Sequence, residues 1–173
     1  MRGIYYVPTL SVMLWSEDLW MAPEDYLTDP FLSGVEPQLI DTLLASPPEP
    51  AGEIAWAWRR AVLETLKEAH DAGIRLVAGS DPPGEYTLHG YSIHDELKWM
   101  VEAGLSPGEA LLAATRRAAE MVGAAGDFGT VQVGRRADLL LLSANPLEDI
   151  RNTRAIEMVI LDGQVIDRGG LLP

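Results

Sequence analysis

The chain has 173 residues, of which 47% are apolar, and it carries a net charge of −13 at pH 7. We therefore expect a globular protein that avoids nucleic acid and anionic membrane surfaces, because both carry the same sign of charge. The sequence has no cysteine, which excludes a disulfide framework and a thiolate nucleophile or metal ligand.

The first predicted element is a strand over residues 1–9, and Pro8 limits it because proline cannot donate a ladder hydrogen bond. This segment does not resemble a signal peptide, and no apolar run approaches the ~20 residues of a membrane span, so we expect a cytoplasmic location. Residues 10–52 are predicted as a long loop with short helices over 23–28 and 36–45. Such loops often form a lid or pocket wall, although their aromatic residues can simply pack the loop down.

A helix is predicted over residues 53–72, followed by a short, fully buried strand over residues 74–78. His70, in the last turn of the helix, is interpreted as a surface or capping residue. A strand, a helix and a strand joined in this order form a βαβ unit, so the two strands are predicted to be parallel. The predicted buried face of the helix comprises Ile54, Trp58, Ala61, Val62, Thr65, Leu66 and Ala69.

Asp81 follows the second strand directly and precedes Pro82. α/β folds place their chemistry at the C-terminal ends of parallel strands, although aspartate before proline is also common in simple turns. His89 lies in the loop that follows, and loops at this end of a sheet share one face. We therefore expect Asp81 and His89 to lie on the same face of the protein, and His94 to begin or cap the next helix.

Two further helices are predicted over residues 95–103 and 106–122. Ser106 and Glu109 form a capping box around Pro107, which is typical of a helix N-terminus. After Gly123 the pattern changes to strands, predicted over 130–133, 137–142, 156–161 and 164–166, the last two joined by an Asp-Gly turn. We assign residues 1–125 to an α/β unit and residues 126–173 to a small β unit.

Taken in order, these segments resemble the metal-dependent amidohydrolase superfamily, in its imidazolonepropionase- and prolidase-like branch. Each match is short, but their order and spacing extend over nearly the whole chain. The matching stretches are residues 3–10, 73–81, 89–90, 96–97, 101–111, 113–115, 134–139, 145–146 and 159–163. The most specific is Gly134-Arg-Arg-Ala-Asp-Leu139, which is followed by a strand and Asn145-Pro146.

The resemblance implies that residues 1–125 are the last two strands and helices of a (β/α)8 TIM-like barrel, and that residues 126–173 are part of a β-sandwich. It makes Asp81 the acid at the tip of the eighth strand, which in the family binds the metal and shuttles a proton during hydrolysis. The implied cofactor is one or two divalent ions, with zinc expected. The implied substrate is a small amide, a cyclic amide or an Xaa-Pro dipeptide. His89 is expected either to contact the substrate or to make a structural hydrogen bond.

The chain departs from the family in its histidines. The family's metal site also uses a His-x-His pair on the first strand, a lysine or acid on the fourth and histidines on the fifth and sixth. This chain has three histidines and no His-x-His. We therefore expect a C-terminal fragment that is inactive alone and needs the missing N-terminal part of the barrel or a partner chain.

Other functions are compatible with parts of the pattern. A catalytically dead remnant or a non-enzymatic interaction subunit would carry the same motifs. A serine hydrolase is disfavoured because Ser80 does not lie in a G-x-S-x-G turn. A glycosidase using Asp81 and Glu85 has two nearby carboxylates but no supporting feature around them.

Overall fold

The computed structural model describes residues 3–14, 53–82 and 87–169. Most of the predicted loop over 10–52, its two short helices and Glu85 lie outside the described residues. The elements in chain order are β1 (Tyr5–Tyr6), α1 (Leu10–Leu14), α2 (Glu53–Asp71), β2 (Arg75–Leu76), α3 (Ser92–Glu102), α4 (Pro107–Ala114), α5 (Arg116–Met121), β3 (Leu139–Leu142), a 3₁₀ helix (Ile150–Arg154), β4 (Ile156–Leu161) and β5 (Gln164–Val165).

Strands β1 and β2 pair in parallel, as predicted, with Tyr6 opposite Leu76. The Val77 N–H donates to the Tyr6 carbonyl oxygen at 3.0 Å and extends this contact by one residue. Both strands are shorter than predicted: Ile4 before β1 is 81% exposed and Leu10 already begins α1. The second strand is also not fully buried as predicted, because Ile74 and Arg75 are exposed. The parallel pair places the C-terminal ends of both strands on the same side of the fold.

The hydrophobic core lies around α3, which packs against α1, α2, α4 and the 3₁₀ helix. Helix α3 contributes a wide buried face because apolar residues recur at three- and four-residue spacing along it. The fully buried core residues comprise Leu10, Leu66, Leu76, Met100, Ala110 and Ala113. Helix α1, which follows β1, therefore packs on α3, which follows β2.

Helix α2 buries only part of the predicted face: Val62, Leu66 and Ala69 pack on the core. Trp58 is 56% exposed, and Ala61 and Thr65 also face solvent, whereas Leu66 is completely buried. Among the described apolar side chains of α2, burial begins at Val62, and before it the partly buried Arg59 lies over the Trp99 ring. The side chain of Ile54 lies outside the described residues.

The two helices after β2 also differ from their predicted bounds. Helix α3 begins at Ser92, so His94 lies inside the helix and is buried. The predicted helix over 106–122 is divided at Thr115, which has φ −121° and ψ −92°. The Thr115 hydroxyl donates to the Leu111 carbonyl oxygen at 2.6 Å, a side-chain contact that competes with regular helix geometry. The predicted capping box is confirmed, since Ser106 Oγ accepts from the Glu109 N–H.

The C-terminal sheet is antiparallel in the order β3-β4-β5. The predicted hairpin is confirmed: Asp162 and Gly163 both have positive φ, as a tight type I′ turn requires. The predicted strand over 130–133 is wrong; these residues form no ladder within the described part of the chain, and Val131 and Val133 are exposed. None of the described helices is both long and apolar enough to cross a membrane.

Candidate functional site

Asp81 lies five residues beyond β2, on the side of the fold where both parallel strands end. Two backbone hydrogen bonds hold the segment between β2 and Asp81. The Val77 N–H donates to the Tyr6 carbonyl oxygen, and the Ala78 N–H donates to the Ala113 carbonyl oxygen at 3.2 Å. Asp81 is exposed to solvent at this position. The structure therefore places Asp81 at the strand end where the sequence predicts chemistry.

Asp81 also has an unusual backbone conformation. Its φ of +47° lies in the left-handed region, which costs an L-residue about 1 kcal/mol or more. Thr9, beyond the end of β1, has a similar φ of +49°. Strained conformations of this kind concentrate at functional sites, where the surrounding structure must hold them. The two strand ends therefore share a feature that the hydrophobic pattern of the sequence does not contain.

Glu96 lies behind this strand end, in the core. Its side chain is 0% exposed, and Oε2 accepts a 2.8 Å hydrogen bond from the Ser11 N–H. Ser11 in turn donates from its hydroxyl to the Ser80 carbonyl oxygen at 3.3 Å. Oε1 of Glu96 is buried and has no hydrogen-bond partner in the structure described. A carboxyl group on α3 is thus connected through one serine to the residue before Asp81.

Burial raises the pKa of Glu96 to about 7. The hydrogen bond from the Ser11 N–H favours the ionised form, as does the closeness of the Leu10 N–H and the Ser11 hydroxyl, and the charge of Asp95 disfavours it. Loss of hydration outweighs the hydrogen bonds because the carboxylate is removed from water on all sides. Both protonation states are therefore populated near neutral pH.

Glu96 lies in one of the stretches that match the family, but the sequence analysis gave it no role in the site, although the helix pattern carried a signal for it. Glu96 lies at helical spacing with Met100 and Ala103, on the apolar face of α3. A carboxylate on such a face is buried unless the helix rotates. Burial of a carboxyl in turn requires hydrogen-bond donors nearby.

His89 lies in an exposed turn before α3. Neither His89 nor Asp81 makes a side-chain hydrogen bond or an ion pair with another residue in the described ranges. A role for His89 in substrate binding stays a prediction. His70 is half-buried on α2, where its Nε2 lies 3.6 Å from Glu109 Oε1, in agreement with a surface role.

His94 serves the core. Its Nδ1 lies 2.9 Å from the Thr153 hydroxyl, which donates to the Ile150 carbonyl oxygen. The Thr153 hydroxyl thus lies within hydrogen-bond distance of both the His94 ring and the Ile150 carbonyl oxygen. His94 therefore joins α3 to the 3₁₀ helix.

The described residues do not form a complete metal site. No group of three His, Asp or Glu side chains suited to holding an ion occurs within residues 3–14, 53–82 and 87–169. A catalytic divalent ion usually needs at least three protein ligands, and Asp81 offers one carboxylate at the strand end. The part of the chain that the structure describes therefore holds no complete set of ligands for such an ion.

Residues 52–166 match the Amidohydrolase family model, which covers more than half of the chain. With its parallel strand pair and its acid beyond a strand end, the chain belongs to the amidohydrolase family, whose members are hydrolases that act on carbon–nitrogen bonds.

Particular relatives support the predicted branch. The chain is 32% identical over 119 residues to adenine deaminase of Moorella thermoacetica, covering 68% of this chain and 19% of that protein. It is 43% identical over 70 residues to imidazolonepropionase of Rubrobacter xylanophilus, covering 40% of this chain and 16% of the relative. A solved Xaa-Pro dipeptidase with bound methionine in its active site superposes with a TM-score of 0.63 at 25% identity, covering 94% of this chain and 34% of the dipeptidase. The resemblance inferred from the sequence is confirmed, and the chain spans between about a sixth and a third of the length of these relatives.

Proposed function

We propose that this chain is the C-terminal part of a metal-dependent amidohydrolase that cleaves a small amide, a cyclic amide or an Xaa-Pro dipeptide. The observation that carries the proposal is the placement of Asp81, exposed and in a left-handed conformation, beyond the end of a parallel strand within the family match. The similarity to a solved Xaa-Pro dipeptidase supports the dipeptide among these substrates. In this proposal residues 1–125 belong to a (β/α)8 barrel and residues 126–173 to a composite β-sandwich.

Asp81 has two tasks in the proposed site. Its carboxylate is one ligand of a divalent ion, for which zinc is the expected metal. The same carboxylate accepts a proton from the attacking water and gives it to the nitrogen that leaves. A bound ion would supply the lowered pKa of that water. His89 is proposed to contact the substrate from the neighbouring turn.

The remaining ligands are proposed to come from an N-terminal barrel segment or a partner chain. Three histidines and no His-x-His pair cannot supply the histidine-rich set that the family uses. In the described residues β1 and β2 form a sheet of two strands, and unpaired parallel edges invite further strands. These observations support assembly with additional polypeptide.

The test compares the full chain alone with the chain co-expressed with the segment that carries the missing histidines. Calorimetric titration of the pure chain with zinc is expected to show weak binding, and the assembled complex is expected to bind metal and hydrolyse N-acyl amino acids or dipeptides. Asp81→Asn should abolish turnover, whereas Asp127→Asn, a matched change at an exposed aspartate, should not. Tight stoichiometric zinc binding by the chain alone, or turnover that survives Asp81→Asn, would contradict the proposal.

A non-enzymatic interaction subunit or a catalytically dead remnant is the second candidate. It is favoured by the absence of a ligand trio in the described ranges. The same co-expression decides between the two, because an interaction subunit would assemble without binding metal at Asp81 or turning over substrate.

A further inference from the structure

The N-terminus of α1 is capped from a distant part of the chain. A helix leaves its first N–H groups without intrahelical partners, and a serine, threonine or aspartate just before the helix usually accepts from one of them. Here the preceding residue is Thr9, whose φ is +49°. The Ser11 N–H donates to Glu96, 85 positions later in the chain. The position of α1 is therefore set by a carboxyl group on α3.

The Ser11 side chain extends this contact to the end of β2. Its hydroxyl donates to the carbonyl oxygen of Ser80, which belongs to the peptide group that joins Ser80 to Asp81. A hydrogen bond to this oxygen restrains the plane of that peptide and hence the φ of Asp81. Ser11 is 2% exposed and lies within the packed interior, so it holds a defined position.

Asp81 needs such a restraint. A residue before proline normally adopts an extended conformation, and an L-residue seldom adopts positive φ. Asp81 precedes Pro82 and has a φ of +47°. Its own side chain makes no hydrogen bond within the described residues, so local side-chain bonding does not hold it in place.

Burial of Glu96 also costs free energy of folding. A buried carboxyl with one unpartnered oxygen destabilises a core, whereas an apolar side chain would fill the same space without that cost. A role beyond packing accounts for a carboxyl group at this position.

We infer that Glu96 is the residue that positions Asp81, acting through Ser11 and the Ser80–Asp81 peptide. The inference rests on the proposed function of Asp81 only for its consequence in catalysis; the positioning itself is a property of this chain. Glu96 touches no substrate in this scheme. It orients the backbone from which the acid projects.

The test uses the full chain labelled for NMR, with the HN–Hα coupling and the Cα and Cβ shifts of Asp81 as reporters of its φ. Ser11→Ala removes the hydroxyl and keeps the N–H bond to Glu96. Glu96→Leu removes the acceptor, and Glu96→Gln retains one. Glu102→Gln is the matched control, because Glu102 lies on the same helix, is exposed and pairs with Arg59.

Ser11→Ala and Glu96→Leu are expected to shift Asp81 to an extended conformation, which the intrinsic preference favours about fivefold or more. Glu96→Gln should retain the left-handed signature in large part, and Glu102→Gln should retain it fully. In the assembled complex, the two disruptive variants should lower kcat with little change in KM. If Glu96→Leu does not fold, Ser11→Ala and Glu96→Gln still test whether Glu96 and Ser11 hold Asp81 in its left-handed conformation.

The outcomes separate the two proposals. An unchanged Asp81 signature in folded Ser11→Ala would overturn the positioning role, whatever the complex does. A changed signature together with no metal binding or turnover in the wild-type complex would uphold positioning and reject the proposed function.

Discussion

Replacing the buried carboxyl of Glu96 with the amide of glutamine is expected to remove a pH-dependent part of the chain's stability. Burial raises the pKa of Glu96 from 4.5 to about 7 in the folded state. The folded state therefore binds this proton more tightly than the unfolded state does. The stabilisation that this proton gives the folded state is complete below pH ~4.5 and is lost as the pH rises through about 7.

The size of the effect follows from the shift. Each pKa unit corresponds to about 1.4 kcal/mol, so the shift of Glu96 corresponds to roughly 3 kcal/mol between the two ends of the range. The Glu96→Gln variant does not titrate here, so wild-type chain should lose up to about 3 kcal/mol relative to it as the pH rises. Asp95 is the acidic neighbour that contributes to the raised pKa of Glu96, and it is present in both proteins.

Urea unfolding at a series of pH values from about 5 to about 8 measures this difference. The chain is least soluble near its isoelectric point of about 4.5, so the series begins above that pH. Trp99 is buried in the core and provides a fluorescence signal for unfolding. Glu102→Gln should show no comparable pH-dependent difference from wild type, because Glu102 is exposed. A difference between wild type and Glu96→Gln that stays flat, or that favours wild type at high pH, would refute the reasoning.

Five other substitutions, two of them controls, test the packing and the helix start, each by urea or thermal unfolding of the full chain. Met100→Ala should cost about 2–5 kcal/mol, because Met100 is completely buried and its loss leaves a cavity; a loss under about 1 kcal/mol would contradict its core position. Ser106→Ala should cost about 1 kcal/mol by removing the cap of α4, whereas Ser106→Asp should retain most of it. Gly129→Ala should destabilise more than Gly123→Ala, because a Cβ at 129 would lie 2.7 Å from Ala119 Cβ while one at 123 meets nothing within 4 Å. Equal losses at the two glycines would show that positive φ alone decides the effect.

Short-range signals in the sequence were sufficient for several elements. Ser106 and Glu109 lie three residues apart and close a capping box that needs no distant partner. Asp162-Gly163 predicts its hairpin because those residues accept the positive φ of the turn. The parallel pairing of β1 and β2 was predicted in another way, from the order strand, helix, strand along the chain, which requires a crossover connection.

Periodicity was less reliable where the facing element decides burial. The pattern of α2 placed Trp58 inward, but the apolar side chains of this helix pack on the core only from Val62 onwards, and Trp58 faces solvent. Apolar spacing specifies that one face can be buried, and it does not specify how far along the helix a neighbour covers that face. Alternation over 130–133 likewise favoured a strand, although no ladder forms there in the described structure.

The sequence by itself determined the family and the position of Asp81 after its strand, because these depend on residue types at short spacing. It did not predict α1 or the 3₁₀ helix, and it predicted a strand over 130–133 that the described structure lacks. Tertiary structure alone decided that Glu96 is buried beneath that strand end and that Asp81 has positive φ. The link from Glu96 through Ser11 to Ser80 joins residues 85 and 69 positions apart. Contacts at that separation depend on how the helices and strands pack, and local residue preferences carry no record of them.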